Sequence, residues 1–140
     1  MPVPGYLDLR EAISEKFKRD NGLNYAADQV IVSTGAKQSI TNAVLCLINP
    51  GDEVLIPAPY WVSYIEMVKL AGGVPVIVTS GMDTDFKVTP RQLEDHTTEK
   101  TKLIIFSTPC NPTGSVYTKE ELRGIADYLT NHKDVYAISD

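Results

Sequence analysis

The 140 residues carry a formal net charge of −5, with 13 Lys and Arg against 18 Asp and Glu, and 43% are hydrophobic. That length buries one core, so a single domain is expected. The charges are scattered rather than clustered, which leaves no footprint for a phosphate backbone or an anionic bilayer, and neither nucleic acid nor membrane is an expected partner.

In chain order, Leu9, Ile13 and Phe17 recur at helical spacing among charges, and Asn21-Gly22 supplies a stop, so residues 7 to 20 read as an amphipathic helix covering one face of a sheet. Val30-Ile31-Val32 is a β-branched run that predicts a strand over 30 to 34. It passes through Ser33-Thr34-Gly35 into a helix carrying Ile40, Val44, Leu47 and Ile48. Asn49-Pro50-Gly51-Asp52 breaks that helix. Glu53 to Ile56 reads as a strand, and Pro57-Ala58-Pro59-Tyr60-Trp61 as a loop unable to pair as sheet interior. A helix over about 62 to 71 follows and stops at Gly72-Gly73. Val74 to Val78 is strand-like, and Pro75 suits an edge.

Thr89-Pro90 has the form of a cap and first helical residue, and Lys102 to Phe106 is a buried strand. Pro109 to Gly114 is a stiff loop, and Thr118-x-x-Glu121 is a capping box opening a helix to about Leu129. Val135 to Ser139 is a last strand. Strands alternating with helices predict an α/β fold, a three-layer α-β-α arrangement around a mainly parallel sheet with right-handed crossovers. Asp140 follows an apolar strand directly, where a complete domain rarely finishes, so a partial domain is expected.

Cys46 and Cys110 form no C-x-x-C pair, and His96 and His132 stand alone. Neither a disulfide framework nor a metal site is expected, and a reducing, cytoplasmic setting is.

Ligands of open parallel sheets bind beyond the strands' carboxyl ends, which singles out four segments. Gly35-Ala36-Lys37-Gln38 opens a helix with small residues, where backbone N–H groups and the helix dipole can hold a phosphate; an ordinary tight turn has the same composition. Trp61, the one tryptophan, sits in a proline-stiffened loop where its ring can stack on a flat ligand or pack in a core. Asn111-Pro112-Thr113-Gly114 presents an amide from a rigid turn. Asp140 puts a carboxylate at a strand end, where it needs a partner unless exposed.

In their order and spacing these segments, together with Asn49-Pro50-Gly51-Asp52-Glu53-Val54, Pro59-Tyr60-Trp61-Val62-Ser63-Tyr64, Ala71-Gly72-Gly73 and Ser139-Asp140, resemble the large domain of class I, fold-type I aminotransferases of the aspartate aminotransferase kind. The run around Tyr60-Trp61 is most similar to the bacterial subgroup.

The resemblance implies pyridoxal 5'-phosphate as cofactor. Gly35, Ala36 and Lys37 would wrap its phosphate, Trp61 would stack on its ring, and Asn111 would bond its phenolic oxygen and help seat the substrate carboxylate. Asp140 would pair with the ring nitrogen. It further implies ping-pong transfer of the amino group of aspartate to 2-oxoglutarate, in a homodimer. The family's Schiff-base lysine and its substrate arginines lie beyond the position of Asp140, so residues 1–140 correspond to a partial large domain, without the catalytic lysine and the small domain, and are expected to be inactive alone.

Rival readings are another fold-type I enzyme, such as an aromatic or kynurenine aminotransferase or an aminocyclopropane-carboxylate synthase. A non-catalytic phosphate- or nucleotide-binding α/β module and a purely structural domain are the others.

Overall fold

The computed structural model describes residues 2–140. They form two compact units, residues up to Ser39 and residues Ile40–Asp140.

In the first unit, helix α1 (Leu7–Asn21) ends where Gly22 turns left-handed at φ 67° and its amide reaches back to the Lys18 carbonyl. Asp8 in the first turn and Lys18 and Arg19 in the last suit the helix dipole. The chain after α1 folds back on it: the rings of Phe17 and Tyr25 meet edge to face at 6.2 Å, and the Arg10 guanidinium donates to the Ala27 carbonyl at 2.9 Å. No residue of α1 is buried, so its expected role as a sheet cover does not appear in its burial.

The expected strand over 30 to 34 is corrected as well. Val30 is extended, at φ −110° and ψ 127°, but residues 30–34 join no ladder. The Val32 amide donates to the Pro4 carbonyl at 3.0 Å, and Ile31 is 71% exposed. A β-branched run favours extended backbone, yet a strand exists only where neighbours accept its hydrogen bonds. Gly5, at φ 95°, permits this close approach, because a β-carbon there would stand 2.8 Å from Cβ of Val32.

Helix α2 (Ala36–Leu47) runs from one unit into the other. The second unit then adds β1 (Glu53–Ala58), α3 (Ser63–Leu70), β2 (Val74–Thr79), α4 (Pro90–His96), β3 (Thr101–Phe106), α5 (Lys119–Asn131) and β4 (Tyr136–Ser139). Among the described residues the sheet has four strands in the order β2-β1-β3-β4, all parallel.

Successive side chains leave opposite faces of a strand, and both faces are covered. Val54, Ile56, Leu103 and Ile105 pack with Ile40 and Val44 of α2 and with Tyr64, Met67 and Val68 of α3. Leu55, Ile104, Phe106 and Val78 pack with Leu93 of α4 and with Ile125 and Tyr128 of α5. The second unit is therefore the expected three-layer α-β-α arrangement with a parallel sheet.

The expected stops and starts hold locally. Thr89 and Thr118 cap α4 and α5 in reciprocal boxes with Gln92 and Glu121, and Pro90 is the first residue of α4. Pro75 lies on β2, an edge strand. Gly73 is required by packing, since a β-carbon there would fall 2.7 Å from Cγ2 of Ile48 and 3.0 Å from Cγ1 of Val68.

One boundary differs: Pro57 and Ala58, expected in a loop, belong to β1, an interior strand. They pair only with Val78 and Thr79 of β2, beyond the point where the register with β3 ends at Leu55 and Ile104. A proline is tolerated where one of the two ladders has run out. No helix among the described residues is long and apolar enough to cross a membrane.

Leu103 is fully buried in an interior strand, whereas Thr118 works at a helix end. Leu103→Ala is expected to destabilise the gene product by about 2–5 kcal/mol and Thr118→Ala by about 1 kcal/mol in denaturant unfolding.

Candidate functional site

Because the four strands run the same way, the segments after β1, β3 and β4 emerge along one end of the sheet. After β3, the amide of Asp140 donates to the Phe106 carbonyl at 2.9 Å, and the Asp140 carbonyl accepts from the Thr108 amide at 3.2 Å. Parallel pairing thus continues one residue past β4 and fixes the backbone that carries the carboxylate. After β1, the chain passes through Pro59-Tyr60-Trp61 into α3, and side chains in a helix lean toward its N-terminus. Tyr64, in the first turn of α3, accordingly reaches back to the strand ends, where its hydroxyl donates to Oδ2 of Asp140 at 2.6 Å. The rings of Trp61 and Tyr64 meet edge to face at 5.6 Å and 84°.

The loop after β3 is tied to the same place. Ser107 is buried, its hydroxyl bonds the Tyr64 phenol, and its Oγ accepts from the Asn111 amide at 3.4 Å. The loop closes on itself through Cys110 to Ser115 at 2.8 Å and Gly114 to Cys110 at 2.7 Å, and the Cys110 thiol lies 3.5 Å from the Pro59 carbonyl. Asn111 itself is exposed.

Of the residues singled out from the sequence, Trp61, Asn111 and Asp140 are thus brought together around one buried phenol. Gly35, Ala36 and Lys37 belong to the other unit, at the start of α2. There Gly35 takes φ 88°, and a β-carbon on it would meet no atom within 4 Å, so glycine is demanded by the backbone and the surface of the turn is open. The amides of Gln38 and Ser39 both donate to the Gly35 carbonyl, at 3.2 and 3.3 Å, which closes the first helical turn. Ala36 and Lys37 open the helix and stand at the positive end of its dipole.

The family profile described as Aminotransferase class I and II matches residues 1–140. The chain belongs to the class I and II aminotransferases.

It is 54% identical over 138 residues to an aspartate/prephenate aminotransferase of Cereibacter sphaeroides, covering 99% of this chain and 34% of that protein. To a bifunctional aspartate aminotransferase and glutamate/aspartate-prephenate aminotransferase of Petunia hybrida it is 52% identical, covering 99% of this chain and 29% of the relative. Among solved structures, the aspartate aminotransferase of Rhizobium meliloti superposes with a TM-score of 0.95 at 38% identity, over 100% of this chain and 35% of that one. An aromatic aminotransferase of Pyrococcus horikoshii gives 0.95 at 42% identity, over 100% and 38%. The chain therefore spans about a third of the length of the relatives it matches, and its fold is that of the large domain of the aspartate aminotransferase type.

Two residues of this cluster have no role predicted from the sequence, Tyr64 and Ser107. The available signal was positional: Tyr64 is one helical turn beyond Trp61, and Ser107 immediately follows the apolar run of β3. Burial, then the Asp140 carboxylate, push the Tyr64 phenol far above its ordinary value of 10.0, with the Ser107 hydroxyl opposing. Burial first also raises Tyr117 and Tyr128 above 10.0.

For these three acids the folded chain retains protons that the unfolded chain has released, so the stability they confer is full below about pH 10 and falls as pH rises beyond it. Denaturant unfolding of the gene product is expected to lose stability above about pH 10, with Tyr64→Phe flattening that loss. A stability independent of pH in that range would contradict the burial of these phenols.

Proposed function

We propose that this chain is part of the cofactor-binding domain of a pyridoxal-phosphate-dependent aminotransferase that moves the amino group of aspartate to a 2-oxo acid. The observation that carries the reading is the Asp140 carboxylate, positioned by backbone pairing at a strand's carboxyl end and held on one oxygen by Tyr64, which leaves the other oxygen for a cationic donor.

The residues fit the cofactor on this chain's own features. An open glycine turn at the positive end of a helix suits a phosphate, an indole beside the strand ends suits a flat ring, and a carboxylate with one oxygen held by a phenol suits a protonated pyridine nitrogen. Gly35, Ala36 and Lys37 would hold the phosphate, Trp61 the ring face, Asn111 the phenolic oxygen and substrate carboxylate, and Asp140 the ring nitrogen. When bound, the cofactor supplies an electron sink for the carbanion left when an amino acid loses its α-proton. Asp140 serves that chemistry by keeping a proton on the ring nitrogen, because a negative charge alongside stabilises the pyridinium. Trp61 orients the ring and keeps water from one face. The lysine that would exchange with substrate belongs to the rest of the enzyme, so residues 1–140 alone would not turn over.

The names of the relatives support aspartate as amino donor and prephenate as one acceptor, and 2-oxoglutarate is the acceptor in our reading. Likeness to the Pyrococcus horikoshii aromatic aminotransferase supports a second reading, in which an aromatic amino acid is the donor and the cofactor chemistry is unchanged. The proposal includes a homodimer, consistent with the exposed apolar side chains of Val3, Tyr6, Leu7 and Leu9, and a cytoplasmic setting, consistent with the free thiols of Cys46 and Cys110.

The test is the visible absorption of the gene product purified with pyridoxal phosphate, recorded before and after aspartate and then 2-oxoglutarate. The cofactor band should fall with aspartate and return with 2-oxoglutarate. A band that ignores aspartate and responds to phenylalanine selects the second reading, and absence of any band overturns the proposal. Asp140→Ala is expected to lower kcat/KM by about 10²–10³, the scale of removing a pre-organised electrostatic contact.

A further inference from the structure

Asp140 directly follows the four-residue strand β4. Its carboxylate does not stand alone. The Tyr64 ring is 1% exposed, wedged in the core formed by Val54, Ile56 and Leu103, and its hydroxyl donates to Oδ2 at 2.6 Å. Behind it the Ser107 hydroxyl, on a residue 8% exposed, bonds the phenol oxygen and in turn accepts the Asn111 amide.

We propose that Tyr64 and Ser107 are a positioning pair that sets the orientation of the Asp140 carboxylate and couples it to the loop carrying Asn111. The inference rests on the cofactor reading above and deepens it.

Every donor in this relay points the same way, from the backbone N–H of Asn111 through the Ser107 and Tyr64 hydroxyls to Asp140. Such a chain strengthens its members, most where they are buried as Tyr64 and Ser107 are. The link at 3.4 Å is the long one and the phenol–carboxylate link at 2.6 Å the short one, so the hold on Asp140 is the dominant effect and the coupling to Asn111 the weaker. Tyr64 is suited to this because its ring is fixed by packing and by the Trp61 edge, so the hydroxyl can occupy only a narrow arc. The phenol also satisfies one carboxylate oxygen, which directs the other toward an incoming ring nitrogen. A serine or threonine in its place could not span the distance from α3 to the strand end.

The decisive comparison uses the whole gene product as wild type, Tyr64→Phe and Ser107→Ala. Each is titrated with pyridoxal phosphate carrying an isotope label at its ring nitrogen, and both the dissociation constant and the nitrogen NMR shift are read. Tyr64→Phe keeps the ring and its packing and removes only the donor. The dissociation constant should rise about tenfold or more, the scale of a hydrogen bond to a charged group, and the shift should move toward that of an unprotonated pyridine. Ser107→Ala should move both readouts the same way and by less, and it carries the test if Tyr64→Phe does not fold. Wild-type affinity and shift in the folded variants, even with a lowered Tm, would reduce the pair to a structural role and overturn the inference. Failure of wild type to bind the cofactor would instead overturn the cofactor reading itself, and the inference with it.

Discussion

Parallel pairing between β1 and β3 is the constraint from which the rest of this chain follows. Val54, Leu55 and Ile56 of β1 and Leu103, Ile104 and Ile105 of β3 are completely shielded, four on the face covered by α2 and α3 and two on the face covered by α4 and α5. At roughly 1.5–3 kcal/mol for each large apolar side chain buried, these six positions anchor both helical layers at once. A sheet covered on both faces tolerates no slip in register, because moving a strand by one residue would exchange every contact with α2 and α3 for one with α4 and α5. The carboxyl ends of the strands are therefore placed as accurately as the core is packed.

That accuracy is passed to polar groups. Asp140 takes its place by continuing the backbone ladder of β3 and β4, not by a side-chain contact of its own making. Its carboxylate is then met by a phenol belonging to the hydrophobic core. Burying a hydroxyl without a partner is costly, and Tyr64 finds that partner in a group the cofactor reading also requires. One side chain thus serves packing at its ring and the site at its hydroxyl. The polar groups gathered at the strand ends are thus held by the same contacts that hold the sheet together.

How much of this could be read from the residues depended on whether the signal was local. Capping boxes at Thr89 and Thr118, the Gly72-Gly73 stop and the edge placement of Pro75 are local chemistry, and the structure agrees with them. Trp61, Asn111 and Asp140 lie beyond the carboxyl ends of parallel strands, a placement that the strand pattern predicts. The misses were non-local. Val30 to Val32 has strand composition, but pairing depends on neighbours that composition does not reveal, and here the Pro4 carbonyl takes the Val32 amide. Pro57 reads as a loop residue from composition, because only the pairing shows that one ladder ends before it. Tyr64 was passed over since tyrosine on an amphipathic helix reads as core, and nothing in its neighbours along the chain announces a carboxylate 76 positions away.

The cofactor contacts are tested most directly by a crystal structure of the gene product with pyridoxal phosphate. The account predicts the phosphate against the amides of Gly35 to Lys37, the ring against Trp61, and the ring nitrogen bonded to the Asp140 oxygen that Tyr64 does not use, with the Tyr64 contact retained. A cofactor seated elsewhere, or a ring nitrogen paired with a different group while Asp140 stays bound only to Tyr64, would contradict it.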